Sequence, residues 1–444
     1  MVDALSLPLS ALGGDKQAVV LDIGAAYTRC GFASEFHPRA VVPTTLAQLS
    51  KSGRELAVPI FEDFAACARD APGARERLKR SLRDLLCRLY YRELLAVPRE
   101  RRVVVLESVL SPTFYRSLLA ELLFDHFDVP SLLFCPHHLA ATFTFKTRDA
   151  LVIDVGYDET LALPIFEGVP MLNCWQTSPL AGKAVLERLK RLLLKEATLI
   201  QSLESQDSVT SLTELLTASV LEDILIRCCF VTTLERGRKY GAAFDAGKGE
   251  FVEEANSLLP EDPPPDVDYP LGGDRALVVP GIVRESTYEV LFERSPDVPS
   301  VPVAILQSAL RCPLDLRKPL LERLLVIGGV PMATGFLTRL KWELLELLGG
   351  EFHSRLPLDC VKFFLAPTNP KMAHCTAWIG GSVFGALEVL PYRSVSREDW
   401  QRERRLPDWT SRVGESRGGA DDDHNDDHDD HNKKDRKATT RSRK

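Results

Sequence analysis

A chain of 444 residues, 45% hydrophobic and 26% charged, has the length for two domains or more and the composition of an ordinary folded protein. Its formal net charge of −7 gives no global attraction to nucleic acid or an anionic membrane, and no apolar run reaches the length of a membrane span. Ten cysteines without a C-x-x-C pair favour reduced, mostly buried thiols in a cytosolic or nuclear protein over a disulfide or zinc framework. The first segment, MVDALSLPLSALGGD (1–15), lacks a basic n-region and carries Asp3, so it reads as a short arm and not as a signal peptide.

Residues 19–33, VVLDIGAAYTRCGFA, pose the first chemical question. An aliphatic strand ends on Asp22, and Gly24 follows two places later. A carboxylate there is costly unless it stands at the strand's open end, near water or a cation. The alternation after it reads as a second strand folding back in a hairpin. Residues 45–60 read as polar and irregular, and 66–95 as a helix charged on one face. Together they form a small, mostly helical insertion. VVVLES (103–108) is a buried strand, Ser111–Pro112 starts a helix with proline at its first position, and SLLFC (131–135) is the next strand. This β–α–β unit points to an α/β architecture with mixed sheets.

Residues 151–168, LVIDVGYDETLALPIFEG, repeat the first device: strand, Asp154, Gly156, then a returning strand. Two strand–Asp–x–Gly hairpins suggest a duplicated unit, one copy per domain. If the loops face each other across a cleft, Asp22 and Asp154 can share a hydrated Mg²⁺, and the amides near Gly24 and Gly156 can bracket a polyphosphate. Residues 200–218 and 241–262 read as loop-rich, and PEDPPPDVDYPLGG (260–273) as a stiff extended connector. LLVIGGVPMATGF (324–336) is a strand ending in glycines, with a helix from about Gly335. AWIGGSVFGAL (377–387) reads as a fourth such run leading into a helix. From about 415 the acidic-histidine and then basic tail has almost no apolar residues and reads as disordered. His424, His428 and His431 within it are a solvated stretch before they are a metal site.

Four of these stretches, LDIGAAYTRCGFASEFHPRAVVP (21–43), IDVGYDETLALPIFEG (153–168), VIGGVPMATGF (326–336) and AWIGGSVFGAL (377–387), resemble the actin family. In order and spacing they are similar to its two phosphate loops, its adenosine loop and its C-terminal signature, and the likeness runs from about 16 to 413. The resemblance implies an actin-like α/β fold, the ATPase fold shared with heat-shock chaperones and hexokinase: two lobes with mixed sheets flanked by helices, and nucleotide in the cleft between them. On that reading 16–147 plus 375–414 form the first lobe, 148–374 the second, and 1–15 and 415–444 lie outside.

By the same resemblance, Asp22, Gly24, Asp154, Gly156, Gly328, Gly329 and Met332 fall on nucleotide-contacting positions. Arg29 falls where the family carries a lysine to the phosphates. The cofactor implied is ATP or ADP with Mg²⁺, the ion held through water by Asp22 and Asp154. Ala25, Ala26, Tyr157 and Asp158 depart from the family's loops, as do Leu225 and Ile226 on the helix over the adenine. The glutamine and histidine that orient actin's attacking water correspond to His137 and Leu161. Leu161 has no hydrogen-bonding atom. His137 can act as a base, though the plainer reading packs it at a helix start beside His138. The expectation is a nucleotide holder with no catalytic residue, not a working ATPase.

Shorter stretches, PRERRVVVLES (98–108), FDVPSLLFCPHHLAA (127–141), LNCW (172–175), PPPDVDYPL (263–271) and LPDW (406–409), are similar to the branch of the family found in dynactin. They imply a cytoplasmic, cytoskeletal subunit at the pointed end. Its partners would be dynactin's actin-like filament subunits, the other pointed-end subunits and, indirectly, dynein, with no nucleic acid and no membrane span. Region 45–95 lacks a recognisable apolar, glycine-rich filament loop, whereas Phe143 and FEG (166–168) keep the barbed-side features. A nuclear chromatin-remodelling subunit and an active actin-fold ATPase are the competing readings.

Overall fold

The computed structural model describes residues 16–49, 55–201, 211–246, 257–272, 275–364, 374–387 and 390–406. The expected arm at 1–15 and tail at 415–444 lie outside these residues.

Hydrophobic strands in the first part of the chain build one mixed sheet. Strands β1 (Val19–Ile23), β2 (Tyr27–Phe32) and β3 (Ala40–Pro43) form an antiparallel meander. A separate hairpin of β4 (Thr45–Leu49) and β5 (Glu55–Pro59) follows, corresponding to the stretch read as irregular. Its two runs, TLAQL and ELAVP, are short and interrupted by the polar SKSGR, which masks their β character in sequence. Strand β6 (Val103–Glu107) lies parallel to β1, and β7 (Ser131–Pro136) parallel to β6. All three therefore end at the same edge, where ligands collect in open α/β sheets.

Between β5 and β6 the charged helix is Ala74–Arg88. It buries Leu78, Leu82, Leu85 and Leu86 at helical spacing and runs on as a wide π turn, Leu89–Glu93. Pro112 is the N-cap of helix Thr113–Glu121, one place earlier than its first turn.

The second sheet is built by β8 (Ala150–Val155), β9 (Thr160–Phe166), β10 (Val169–Pro170) and β11 (Gln176–Ser178). A third sheet takes β12 (Thr198–Gln201), β13 (Val267–Gly272) and β14 (Arg275–Val279), so the proline-rich connector ends as a strand. Strand β15 (Leu324–Ile327) lies parallel to β8, and β16 (Val395–Ser396) returns to pair with β7 on the first sheet.

The run AWIGGSVFGAL is not a strand. Thr376–Gly385 is one helix, packed against helix His137–Thr144 and on β1 and β6. A short apolar run can serve as a buried strand or a buried helix. Its glycines decide the outcome, because a Cβ at Gly380 would stand 1.7 Å from the Ala140 carbonyl oxygen. This helix pair lies in a core formed by both sheets, with Val20, Val104, Val152, Leu325 and Trp378 buried in it. In the second lobe, buried Arg339 donates to both Glu289 carboxylate oxygens at 2.8 Å and to Glu343 at 2.8–2.9 Å.

Candidate functional site

Asp22 and Asp154 each stand one residue before the end of their strand in equivalent hairpins, but their cross-strand partners differ. Antiparallel register places Arg29 directly opposite Asp22, and Arg29 Nη1 donates to Asp22 Oδ2 at 3.0 Å. In the second hairpin the residue opposite Asp154 is Leu161, which is buried and has nothing to donate. The first carboxylate thus has a cation built into its own hairpin and the second does not.

His137 supplies the missing charge. It opens the helix that leaves β7, at the edge where β1 also ends. Its Nδ1 lies 3.3 Å from Asp154 Oδ2 and its Nε2 lies 3.8 Å from Asp22 Oδ2, so one imidazole spans the two loops. Burial works against the imidazolium, but Asp154 and Asp22 overcome it and push His137 up to about 10. For Asp22, burial favours the neutral acid, and His137 and then Arg29 hold it down at about 2. Asp154 is lowered in the same way, with burial opposed mainly by His137. Two carboxylates, a guanidinium and an imidazolium make a cluster of zero net charge. His138, the neighbour against which His137 was expected to pack, is buried and held neutral by burial, its pKa lowered to about 4.

The remaining expected residues surround this cluster. Gly328, with φ +107°, sits against the end of β8. A side chain there would meet the Val155 carbonyl oxygen at 2.3 Å and Asp154 Oδ1 at 2.9 Å. Around Gly329 a Cβ would find open space within 4 Å, and Met332 is partly exposed on the following turn. The amide of Gly24 donates to the Tyr27 carbonyl at 3.1 Å, and that of Gly156 to Glu159 at 3.2 Å. Each of these two amides closes its own hairpin. Tyr157 and Asp158 are exposed, and the amides of Gly182 and Lys183, at the start of the helix Gly182–Glu196, donate to Gly156 and Tyr157.

A second contact crosses from the first hairpin to the helix Ala218–Cys228: the Tyr27 hydroxyl donates to Glu222 at 2.6 Å. Sequence reasoning named neither residue. Tyr27 stands just past the loop glycine and Glu222 on the helix that the resemblance sets over the adenine, so the loop pattern placed the one, and the family likeness the other, near the cleft. On that helix Leu225 packs against the second lobe's core, whereas Ile226 is 72% exposed.

The expected Mg²⁺ does not fit between the loops. A hydrated ion needs room for water ligands at about 2.1 Å, and here the His137 ring fills the space between the carboxylates and satisfies their charge. A separate open groove of about 420 Å³, lined by Gln176, Arg311, Phe352 and Arg355, contains none of these residues. Among the described residues no helix is long and apolar enough to cross a membrane.

Comparison with known proteins agrees with this geometry. The chain is 25% identical to actin-related protein 10 of Dictyostelium discoideum over 89% of its own length and 89% of that protein's. It is 24% identical to actin-like protein 7A of Mus musculus and to that of Rattus norvegicus, over 87% of this chain and 80% of each relative. With residues 13–406 matching the actin family's profile and both phosphate-loop hairpins in place, the chain belongs to the actin family.

Proposed function

We propose that this actin-related protein is a structural subunit of a dynactin-type complex, which caps the pointed end of an actin-like filament and docks other pointed-end subunits. In that role it supports dynein-driven transport in the cytoplasm. The stretches at 98–108, 127–141, 172–175, 263–271 and 406–409 support the dynactin branch.

One observation carries the capping role. The hairpin β4–β5, where the family places its filament-extending loop, has only the five polar residues SKSGR between its strands. In the second sheet the tight turn at Glu167–Gly168, both at positive φ, leaves Val169 54% exposed for a neighbour. A head-to-tail contact propagates unless one of its two faces is changed. A subunit with one altered face accepts a neighbour and then ends the filament.

Proteins of this family generally bind ATP or ADP with Mg²⁺. In this chain the 328–332 turn and the loops at Gly24 and Gly156 are the residues that would hold a nucleotide, which would tie the two lobes together. Turnover is not expected. Leu161 is apolar and buried in the sheet, and His137 is engaged by two carboxylates, so neither orients a water. Mixing the purified chain with the filament-forming subunit should give short filaments carrying this chain at one end only. Filaments with it at internal positions, or its co-purification with nucleosomes and not with dynein machinery, would refute the assignment.

A further inference from the structure

We infer that the cleft of this chain is fastened by its own side chains, with His137 standing between Asp22 and Asp154 in place of a divalent metal ion and Tyr27–Glu222 as a second clasp. The inference does not depend on which complex takes up the subunit.

The duplicated hairpins are asymmetric. Arg29 neutralises Asp22 across the first hairpin, whereas the matching position beside Asp154 is Leu161. A carboxylate without a partner at the end of a buried strand is costly, and the chain must either recruit an ion or supply a partner of its own. His137 comes from the first sheet, on the helix that follows β7, and reaches Asp154 on the second. It is therefore a contact between lobes, not an arrangement internal to one of them. Its side chain is 17% exposed, that of Asp22 8% and that of Asp154 23%, so the ring meets both carboxylates with little water between them.

The Tyr27–Glu222 hydrogen bond joins the same two bodies on a different side of the first loop. Two independent links leave little for a metal ion to add in holding the lobes together. The geometry assigns the metal's structural task to an imidazole that cannot dissociate.

The test uses the full-length chain, with Mn²⁺ as a spectroscopic probe for the metal and thermal unfolding as the stability readout. For the wild type we expect no stoichiometric Mn²⁺ binding at submillimolar concentration. We also expect the unfolding midpoint to agree within about a degree in EDTA and in Mg²⁺, since a ligand that does not bind the native state cannot shift it. His137→Gln, which reopens the space between the carboxylates, should lower the midpoint in EDTA by several degrees and gain Mn²⁺ binding that restores part of the loss. Tyr27→Phe should lower the midpoint by less and should not gain Mn²⁺ binding.

Stoichiometric Mn²⁺ binding by the wild type, or a midpoint that falls on adding EDTA, overturns the proposal. So does a His137→Gln variant as stable as the wild type. Should that variant fail to fold, the wild-type Mn²⁺ titration decides the question by itself.

Discussion

Replacing Gly380 by alanine tests how tightly the crossing helices His137–Thr144 and Thr376–Gly385 are packed. A methyl group at Gly380 would lie 1.7 Å from the Ala140 carbonyl oxygen, 2.4 Å from its carbon and 3.2 Å from Thr144 Oγ1. The first distance is roughly 1.5 Å short of ordinary contact, and the obstacle is backbone that no rotamer change can move aside. Parting the helices also strains the Thr144 hydroxyl's 2.7 Å bond to the Thr376 carbonyl, worth about 1 kcal/mol. Overpacking costs about 1–3 kcal/mol, whereas alanine in a helix returns about 1 kcal/mol relative to glycine. The net expectation is a loss of about 2 kcal/mol, read as a lower urea midpoint.

Two further glycines calibrate the measurement. At Gly381 the obstacle is the end of the Leu106 side chain at 2.8 Å, which can rotate away, so Gly381→Ala should cost less. At Gly241, in the helix Leu234–Ala246, a methyl meets nothing within 4 Å, and Gly241→Ala should stabilise by about 0.5–1 kcal/mol. A Gly380→Ala protein at or above the wild-type midpoint, with Gly241→Ala behaving as expected, would refute the packing argument.

Other outcomes follow from buried charge and thiols. Arg339→Met leaves Glu289 and Glu343 buried without their cation and should lower stability by about 3–5 kcal/mol in a urea titration. Double replacement by apolar residues should recover part of that. His138 is held neutral, with its pKa near 4 against an ordinary 6.5. The unfolded chain therefore binds the extra proton between those values, and stability falls as the pH drops through that window, by on the order of 3 kcal/mol. His138→Leu should flatten this part of the acid limb in equilibrium unfolding. Of the ten free cysteines only Cys87 and Cys360 are partly exposed. A thiol reagent should label those two in the native protein and the other eight only after unfolding, with burial pushing Cys30, Cys135 and Cys229 up to about 12.

Much of the site was legible because it is written twice. Two aliphatic strands ending on Asp22 and Asp154, each followed by a glycine and a returning strand, fix a period, an edge and a charge without any tertiary information. The role of His137 was not legible in the same way. It depends on β7 lying two strands from β1 in a parallel arrangement, which brings residues far apart in sequence to one edge. The resemblance implies a phosphate contact for Arg29, and hairpin register adds a pairing with Asp22 that the sequence pattern alone does not announce. The 377–387 run misled because its residues are apolar or glycine nearly throughout, so no polar face marks a helical period. In β4–β5 the strands were too short, and too polar where they join, for alternation to stand out.

The last described elements carry a consequence for biosynthesis. Strand β16 completes the edge of the first sheet on β7, Trp400 stacks on Phe124, and the Trp378 indole donates to the Val20 carbonyl at 3.2 Å. One face of the first sheet is packed by helices made early, Ala74–Arg88 and Thr113–Glu121, whereas the other is completed only by segments made much later. During translation Val20 and Val104 lack the helix that finally buries them until Thr376–Gly385 has emerged. A ribosome-bound intermediate of this protein exposes an open sheet and an apolar face for most of its synthesis, the condition under which nascent chains aggregate or need a holdase. A nonsense mutation between residues 136 and 376 would release that state as its final product.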